Sequence, residues 1–186
     1  YRPKVPLRIY TDDDVLIGEF GQERRDFVPI EDMPAQLKNA VVAIEDERFY
    51  SHAGVDPKAI VRAMLSFVTG GVPQGGSTIT IQVARTFYLT QERTLARKLK
   101  EAMLAERIEA SLTKEKILEL YMNQIYLGQR SYGFSSASRA YFGKSLMETS
   151  LAQNAMLAGL PQNPSRHNPA VNPERAKRRQ MMVLKN

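Results

Sequence analysis

The sequence of 186 residues contains no cysteine and only two histidines. Without cysteine the chain cannot form disulfides, thiolate metal sites or a cysteine nucleophile. No run of about 18 or more apolar residues occurs, so no segment is long enough to span a membrane as a helix. A Gly-x-Ser-x-Gly elbow is also missing, and nothing else in the sequence supports a Ser-His-Asp hydrolase.

The composition is that of a folded globular protein, with 43% hydrophobic and 25% charged residues. The length fits one domain with a sizeable core. A formal net charge of +6 suits phosphates, nucleic acid or an anionic membrane face, and charge alone does not choose among these partners. Because the chain begins with Tyr1 rather than Met, we expect it to be a piece of a longer protein.

The apolar periodicity predicts a mainly α-helical fold with a short N-terminal β-hairpin. Residues 1–30 are expected to be extended, with β-prone runs at 7–10 and 15–17 around an Asp12-Asp13-Asp14 turn. The expected helix N-caps are Asp32, Asp56, Ser77 or Thr78, and Thr113. Helices are predicted over residues 33–45, 57–68, 79–88, 92–112, 114–126, 135–142, 148–159 and 174–184.

An acidic cluster, Glu45-Asp46-Glu47, follows the apolar run 40–44 directly. A solvated helix end explains this cluster, and so does an active site. For the nearby His52 we favour a structural hydrogen bond over metal binding, because the second histidine, His167, lies far along the chain.

Two further segments each have an ordinary and a functional interpretation. Arg97, Lys98 and Glu101 fall within one helical turn, where a surface ion pair worth a few tenths of a kcal/mol is the usual interpretation. The alternative is a site in which the two cations grip an anion while Glu101 binds a metal or orients them. Residues 75–78 are either a flexible loop before a capped helix or a phosphate-binding helix start, with Arg85 two turns further on.

The helix over residues 57–68 has a largely apolar face, which sequence alone favours as core over a membrane-facing segment. The C-terminal helix is rich in arginine and lysine, with no interleaved aromatic residues and no known nucleic-acid module. We interpret its cations, Arg175, Lys177, Arg178, Arg179 and Lys185, as a solvated basic face.

Five segments resemble the signature motifs of the peptidoglycan glycosyltransferases, glycosyltransferase family 51, and they occur in that family's order. In this sequence the motifs are Glu45-Asp46-x-x-Phe49-x-x-His52-x-Gly54, Gly76-Ser77-Thr78-Ile79-Thr80-x-Gln82, Arg97-Lys98-x-x-Glu101, Lys114-x-x-Ile117-Leu118-x-x-Tyr121-x-Asn123 and Arg179-x-x-x-Val183-Leu184. Each motif alone is weak, but five in order across residues 45–184 are a strong signal. One position departs from the pattern, because Ile81 stands where the family usually has a second glutamine.

The N-terminal segment also resembles class A penicillin-binding proteins, in which a transpeptidase domain follows the glycosyltransferase. No Ser-x-x-Lys with its partner motifs is present, so we expect no penicillin-binding activity. We expect the transpeptidase domain and a membrane anchor to lie outside this piece. The implied division is an extended or β-hairpin segment, 1–30, and a glycosyltransferase domain, 31–186. The implied fold is a lysozyme-like helical lobe with a smaller, membrane-facing jaw.

The resemblance implies an enzyme that polymerises lipid II with inversion of the anomeric centre and release of undecaprenyl pyrophosphate. Glu45 would be the catalytic base, with a pKa raised by the apolar run before it, and Asp46 would assist or orient. Substrate-binding roles are implied for Ser77, Thr78, Gln82, Arg85, Arg97, Lys98 and Asn123. Structural roles are implied for Phe49, His52, Gly54, Tyr121 and Arg179.

Glu101 would act in catalysis by holding a divalent cation, Mg²⁺ or Mn²⁺, or by ordering the cations around the diphosphate. With the other motifs present, the site interpretation of Arg97, Lys98 and Glu101 outweighs the surface ion pair. The implied partners are lipid II, the growing lipid-linked glycan strand and the membrane surface through about residues 58–76. Other cell-wall synthesis proteins could bind as well, and no nucleic acid is implied. The implied location is the periplasmic face of the bacterial inner membrane.

Two other classes of function compete with a transferase. A lysozyme-like glycan hydrolase would use a protonated carboxylic acid and a path for water, but it would not need a cationic clamp for pyrophosphate. A non-enzymatic glycan or nucleic-acid binder would have no purpose for the ordered acidic motifs.

Overall fold

A computed structural model describes residues 7–13, 16–20, 23–70, 76–88 and 94–185 of the chain. As the apolar periodicity predicts, the fold is mainly helical. The helices are α1 (Ala35–Glu45), α2 (Pro57–Val68), α3 (Ile79–Tyr88), α4 (Leu95–Ser111), α5 (Lys114–Gln124), α6 (Phe134–Phe142), α7 (Leu151–Ala158) and α8 (Pro173–Lys185). Short 3₁₀ turns occupy Ile30–Asp32, Phe49–Ser51 and Leu146–Glu148. No helix in the described ranges is long and apolar enough to cross a membrane.

The strands form two small sheets. β1 (Leu7–Tyr10) and β2 (Leu16–Phe20) pair in antiparallel register, which confirms the predicted hairpin. Asp12 and Asp13 lie in its turn, while Asp14 and Val15 fall outside the described residues. β3 (Arg24–Arg25) pairs in parallel with β4 (Ser131–Tyr132), and this pairing ties the segment before α1 to the helical body.

The core is built around α5, whose residues 117–119 and 121–124 are all buried. Helices α3, α4 and α6 contact α5, while α1 contacts α7 and α8 on the other side. Apolar side chains with at most 1% exposure come from all of these helices and from the connections between them, with Ala105 from α4 and Ala176 from α8. The larger ones are Leu37, Val41, Phe49, Ile79, Ile117, Leu118, Met122, Leu127, Phe134 and Leu157.

Four predicted helix boundaries are corrected by local backbone chemistry. α1 does not start at Met33 with Asp32 as its cap, because a residue before proline is disfavoured in the α region, and Met33 is extended. Pro34 takes the N-cap position instead. α5 ends at Gln124 rather than 126, since the Ile125 carbonyl accepts from the Gly133 N–H and Tyr126 pairs with Tyr132.

α4 begins at Leu95, with the Thr94 side chain accepting from the Arg97 N–H, rather than near Glu92, which lies outside the described residues. α7 begins at Leu151 rather than Glu148, because Ser150 and Gln153 form a capping box. The remaining predictions hold closely. Asp56 and Thr113 cap α2 and α5, Thr78 accepts from the Ile81 N–H at the start of α3, and Gly143 ends α6 in the left-handed region.

The core interpretation of the α2 apolar face is wrong for two of its residues. Val61 is 55% exposed and Leu65 is 60% exposed. The helix is held mainly through its first turn, where Asp56 accepts from the N–H groups of Lys58 and Ala59 and pairs with Arg48. α2 therefore presents an apolar surface outward.

Candidate active site

Glu45 reaches the interior because it continues the buried stripe of α1. Leu37, Val41 and Glu45 are four residues apart, so they fall on one face of the helix, and the first two are fully buried. The last turn of α1 thus places a carboxylate on the helix face that bears core side chains in the preceding turns. Glu45 is only partly exposed there and lines an open cleft of about 800 Å³.

The surroundings of Glu45 favour its protonated form. Burial raises the pKa of Glu45 above its ordinary value, and it is the largest influence. A hydrogen bond from Gln82 Nε2 to Oε2, 2.9 Å long, the charge of Arg179 and the Tyr121 hydroxyl all oppose this rise. The neighbouring Asp46 charge adds a small increase. A carboxyl group with a raised pKa suits proton transfer near neutral pH.

Asp46, the next residue, has a different environment. Both of its carboxylate oxygens lie within 3.0 Å of His52 Nε2, and Oδ2 also accepts from the Ile79 N–H at 3.0 Å. The side chain thereby joins the end of α1 to the start of α3 and to the 3₁₀ turn. Its contacts orient the cleft wall, which fits the orienting role predicted for Asp46, and the predicted hydrogen bond of His52 is present.

The third motif forms a compact ionic cluster around Glu101. The Glu101 carboxylate is fully buried, and Lys98 Nζ lies 2.7 Å from its Oε2. Arg85 Nε and Arg97 Nε lie 3.1 and 3.3 Å from its Oε1. Three cations therefore converge on one carboxylate, which leaves an excess of positive charge around Glu101, next to the cleft-lining Ser77.

The pKa of Glu101 is set by these cations. Burial alone would raise it, but hydrogen bonds from Arg85 and Lys98 outweigh burial and hold the pKa of Glu101 below its ordinary value. Glu101 is thus held in its ionised form by the cations, and it fixes the three cationic side chains in place.

The residues around Glu101 do not fit a divalent-metal site. Its two oxygens are engaged by three cations, and the described part of the chain has no group of three or more His, Asp or Glu side chains that could share a metal. A hard cation needs several oxygen ligands. Of the two roles predicted for Glu101, the ordering of cations is the one that the geometry supports. A requirement for Mg²⁺ or Mn²⁺ stays a prediction.

Helix α3 links the two glutamates. Gln82 and Arg85 are three residues apart on one face of α3, with Gln82 bonded to Glu45 and Arg85 to Glu101. At the start of α3 the Ser77 Oγ lies 3.5 Å from Lys98 Nζ and lines the cleft. Thr78 also lines the cleft, but it is buried, and its hydroxyl donates to the Gly54 carbonyl and accepts from the Ile81 N–H, so it holds the loop in place.

Other motif residues support the site from within. Phe49 is fully buried in the core. Gly54 has φ +89°, and a Cβ there would lie 2.8 Å from the Ala105 backbone, so only glycine allows this turn to approach α4. Ile81 is 7% exposed, so the residue that departs from the motif packs inside as an apolar side chain.

The substrate-binding prediction for Asn123 is corrected. Its side chain is 5% exposed. Asn123 Oδ1 accepts from the Val28 N–H, and Nδ2 donates to the carbonyls of Val28 and Glu119. Asn123 therefore holds the chain before α1 against α5. Tyr121 is buried beside Glu45, and both burial and that carboxylate raise the pKa of its hydroxyl.

One wall of the cleft is formed by cations of α8, and the sequence interpretation did not place these cations at the site. Arg175, Arg178, Arg179 and Lys185 of α8 line the cleft, together with Arg166 and His167 of the preceding connection. Arg175, Lys177, Arg178 and Lys185 are exposed as predicted, but all of them except Lys177 also line the cleft, which the sequence interpretation did not include. The spacing of 175, 178, 179 and 185 along one helical face was the available signal.

Arg179 is placed by a close approach to α7. A Cβ on Gly159 would lie 2.9 Å from Arg179 Cγ, so the absence of a side chain at position 159 leaves room for the arginine. From there its charge acts on Glu45. Arg179 is therefore both a packing residue, as predicted, and part of the electrostatic environment of the carboxyl group.

Comparisons with family models, curated proteins and solved structures agree on one family. The family model described as Transglycosylase matches residues 13–186. The chain is 58% identical to penicillin-binding protein 1A of Neisseria cinerea over its whole length, and 57% identical over 86% of its length to a putative transglycosylase of Cupriavidus necator, covering 69% of that protein. The crystal structure of penicillin-binding protein 1A from Haemophilus influenzae superposes on the whole chain with a TM-score of 0.56 and 31% identity, and the match covers 18% of that chain.

The chain spans 23% of the length of the Neisseria relatives. These matches agree with the five ordered motifs and with the helical fold predicted from the sequence. The division at residue 30 stays a prediction.

Proposed function

The chain belongs to the transglycosylase family, and we propose that it polymerises lipid II into glycan strands for the bacterial cell wall. One observation carries this proposal: α3 joins a cleft-lining glutamate with a raised pKa, through Gln82, to three cations that a second, buried glutamate holds together. The first group suits activation of a hydroxyl, and the second suits a departing polyanion.

In the proposed step, Glu45 takes the proton of the acceptor 4-hydroxyl on N-acetylglucosamine as its oxygen attacks C1 of N-acetylmuramic acid in the donor. The bond between C1 and the diphosphate oxygen breaks, and its electron pair leaves with undecaprenyl pyrophosphate. Attack from the face opposite the leaving group inverts C1. The proton remains on Glu45 until solvent removes it.

Arg85, Arg97 and Lys98 are the proposed partners of the leaving diphosphate. A diphosphate needs no proton in order to leave, provided that cations stabilise the charge that develops. Lys98 and Arg85 keep 49% and 40% of their side-chain surface exposed while bonded to Glu101, so both can reach a ligand without giving up that anchor.

The alternative, a lysozyme-like glycan hydrolase, is not favoured by the family match. It also leaves the cluster around Glu101 without a role, since hydrolysis of a glycan releases a neutral sugar hydroxyl.

The outward face of α2 is the proposed contact with the membrane. Val61 and Leu65, together with Pro57, Lys58 and Arg62, surround a shallow apolar depression. Apolar side chains flanked by lysine and arginine suit the interface of an anionic bilayer. A location on the outer face of the inner membrane follows from this proposal, and binding to other cell-wall synthesis proteins stays a prediction.

The test is incubation of the protein with labelled lipid II in detergent, and separately with preformed peptidoglycan. We expect lipid-linked polymer from the first mixture and no change in the second. Shortened glycan from the second mixture, with no polymer from the first, would establish the hydrolase instead.

A further inference from the structure

Two cationic regions, one lining the cleft and one around Glu101, differ in which groups neutralise their charge. We call Arg166, Arg175 and Arg178, with Arg179 and Lys185, the α8 wall. Around Glu101 the cations share a buried carboxylate. Among the described residues, no carboxylate forms an ion pair with Arg166, Arg175 or Arg178.

The acidic side chains that face the α8 wall across the cleft are already engaged. Asp46 is bonded to His52 and the Ile79 N–H, and Asp56 caps α2 and pairs with Arg48. Glu47 lies 4.0 Å from Arg62. Glu45 is the remaining carboxyl group, and its influence reaches Arg179. The α8 wall therefore faces the cleft with positive charge that these carboxylates do not offset.

Two buried polar atoms at this wall also lack partners. Arg179 Nε and His167 Nδ1 are buried, and neither has a hydrogen-bond partner among the described residues. Burial and the surrounding arginines lower the pKa of His167, so it contributes a neutral ring rather than further charge. Buried polar groups without protein partners beside an open cleft leave hydrogen-bonding capacity that a water or a ligand can fill.

The wall is longer than a diphosphate requires. From Arg175 to Lys185 α8 rises by about 15 Å, at about 1.5 Å per residue. A compact diphosphate is served by the cluster around Glu101. A row of cations of this length matches a ligand whose anionic groups recur along its length.

We propose that the α8 wall binds the peptide carboxylates of the growing glycan strand, so that Arg166, Arg175 and Arg178 retain the strand while Glu45 adds the next unit. This inference rests on the proposed function, because the strand is its product. Each disaccharide of such a strand carries a peptide that ends in a carboxylate. Exposed arginines are suited to successive carboxylates as the strand advances, because each exposed pair is weak and exchanges readily.

The test is direct binding of a fluorescent, lipid-free glycan oligomer that carries free peptide carboxylates, measured by anisotropy at low salt. Two weak charge pairs contribute together up to about tenfold in affinity. We expect Arg175→Gln/Arg178→Gln to weaken binding by about that factor. Lys177→Gln, on the same helix but outside the cleft, is the matched control and should bind within about twofold of the unmodified protein.

A second probe identifies the anion. The same oligomer with amidated carboxyl groups should bind the unmodified protein about as weakly as the free-acid oligomer binds the double variant. Equal binding of the amidated and free-acid oligomers would overturn the proposal, and so would an equal loss with Lys177→Gln. A double variant that loses affinity only for vesicles of anionic phospholipid would also overturn it, in favour of a membrane contact.

Failure of this inference is distinguishable from failure of the proposed function. If the protein polymerises lipid II but does not bind the free-acid oligomer, the proposed role of the α8 wall is rejected and the transferase function is retained. Carboxylate-dependent binding without polymerisation would keep the wall as a glycan site and reject the transferase.

Discussion

Glu45 and Glu101 are the same residue type, both bond to side chains on one face of α3, and their environments have opposite effects. Glu45 is surrounded by an apolar stripe, one amide and one tyrosine, so burial raises its pKa. Glu101 is buried more completely, yet Arg85 and Lys98 lower its pKa. The difference shows that burial alone does not determine the role of a carboxylate, because the partners decide which protonation state burial favours.

The two regions therefore divide the proposed reaction. The Glu45 region handles a proton, which requires a pKa near the working pH. The Glu101 region handles charge that appears on the leaving group, which requires cations held in position before the reaction. Helix α3 fixes the two regions relative to each other through Gln82 and Arg85.

Replacing the base should have the largest effect. Glu45→Gln removes the proton acceptor, and lipid II polymerisation should fall by at least about 100-fold while the circular dichroism spectrum is unchanged. Glu47→Gln is the matched control, because Glu47 is the other flanking acid and its side chain is 73% exposed. Full activity in Glu45→Gln would remove Glu45 from the mechanism.

Neutralising the second glutamate should damage stability as well as turnover. Glu101→Gln leaves three cations around a buried amide, and loss of one partner from a buried ionic cluster typically costs about 3–5 kcal/mol. Urea unfolding should show a decrease of that order, whereas the exposed Glu106→Gln on the same helix should be close to neutral. An unchanged midpoint for Glu101→Gln would mean that the cluster is not holding the cations in place.

Removing one cation should affect turnover more than folding. Lys98 is half exposed and two arginines remain on Glu101, so Lys98→Ala should lower the free energy of unfolding much less than Glu101→Gln does, while turnover of lipid II falls by about tenfold, the loss of one charge-assisted hydrogen bond. Lys100→Ala, an exposed lysine two residues further along α4, is the control. If the two variants turn over lipid II at the same rate, Arg97, Lys98 and Glu101 are better explained as an ordinary surface ion pair.

The smallest effect is expected from the amide that bonds Glu45. The base works only as a carboxylate, so the acid side of the pH–rate profile follows the pKa of Glu45. The Gln82 hydrogen bond lowers that pKa, and Gln82→Leu should therefore move the acid side to higher pH. Thr86→Val, one turn further along α3, should leave the profile in place. A shift to lower pH in Gln82→Leu would contradict the assigned sign.

Sequence alone identified most of the helices, the hairpin and the residues around both glutamates. The capped starts of α2 and α5 were predictable because the cap and its N–H partners are neighbours in sequence. The start of α1 was mispredicted because the effect of Pro34 on Met33 outweighed the capping signal of Asp32.

Contacts between distant segments could not be read from the sequence. Asp46 accepts from the N–H of Ile79, 33 residues later, and nothing local separates its environment from that of Glu45. Asn123 belongs to a signature motif, yet its amide bonds Val28, which lies 95 residues earlier. The sequence did not reveal that cations of α8 line the cleft, because only the packing of α8 against α1 and α7 brings them there.

The central claim is that the two glutamates have opposite pKa shifts, and a titration of both tests it most directly. Carboxyl carbon chemical shifts of ¹³C-labelled glutamate, assigned with Glu45→Gln and Glu101→Gln, would give the pKa of each group in the same sample. We predict a pKa above the ordinary glutamate value for Glu45 and a pKa below it for Glu101. The reverse order, or two unshifted values, would contradict the division between proton transfer and charge stabilisation.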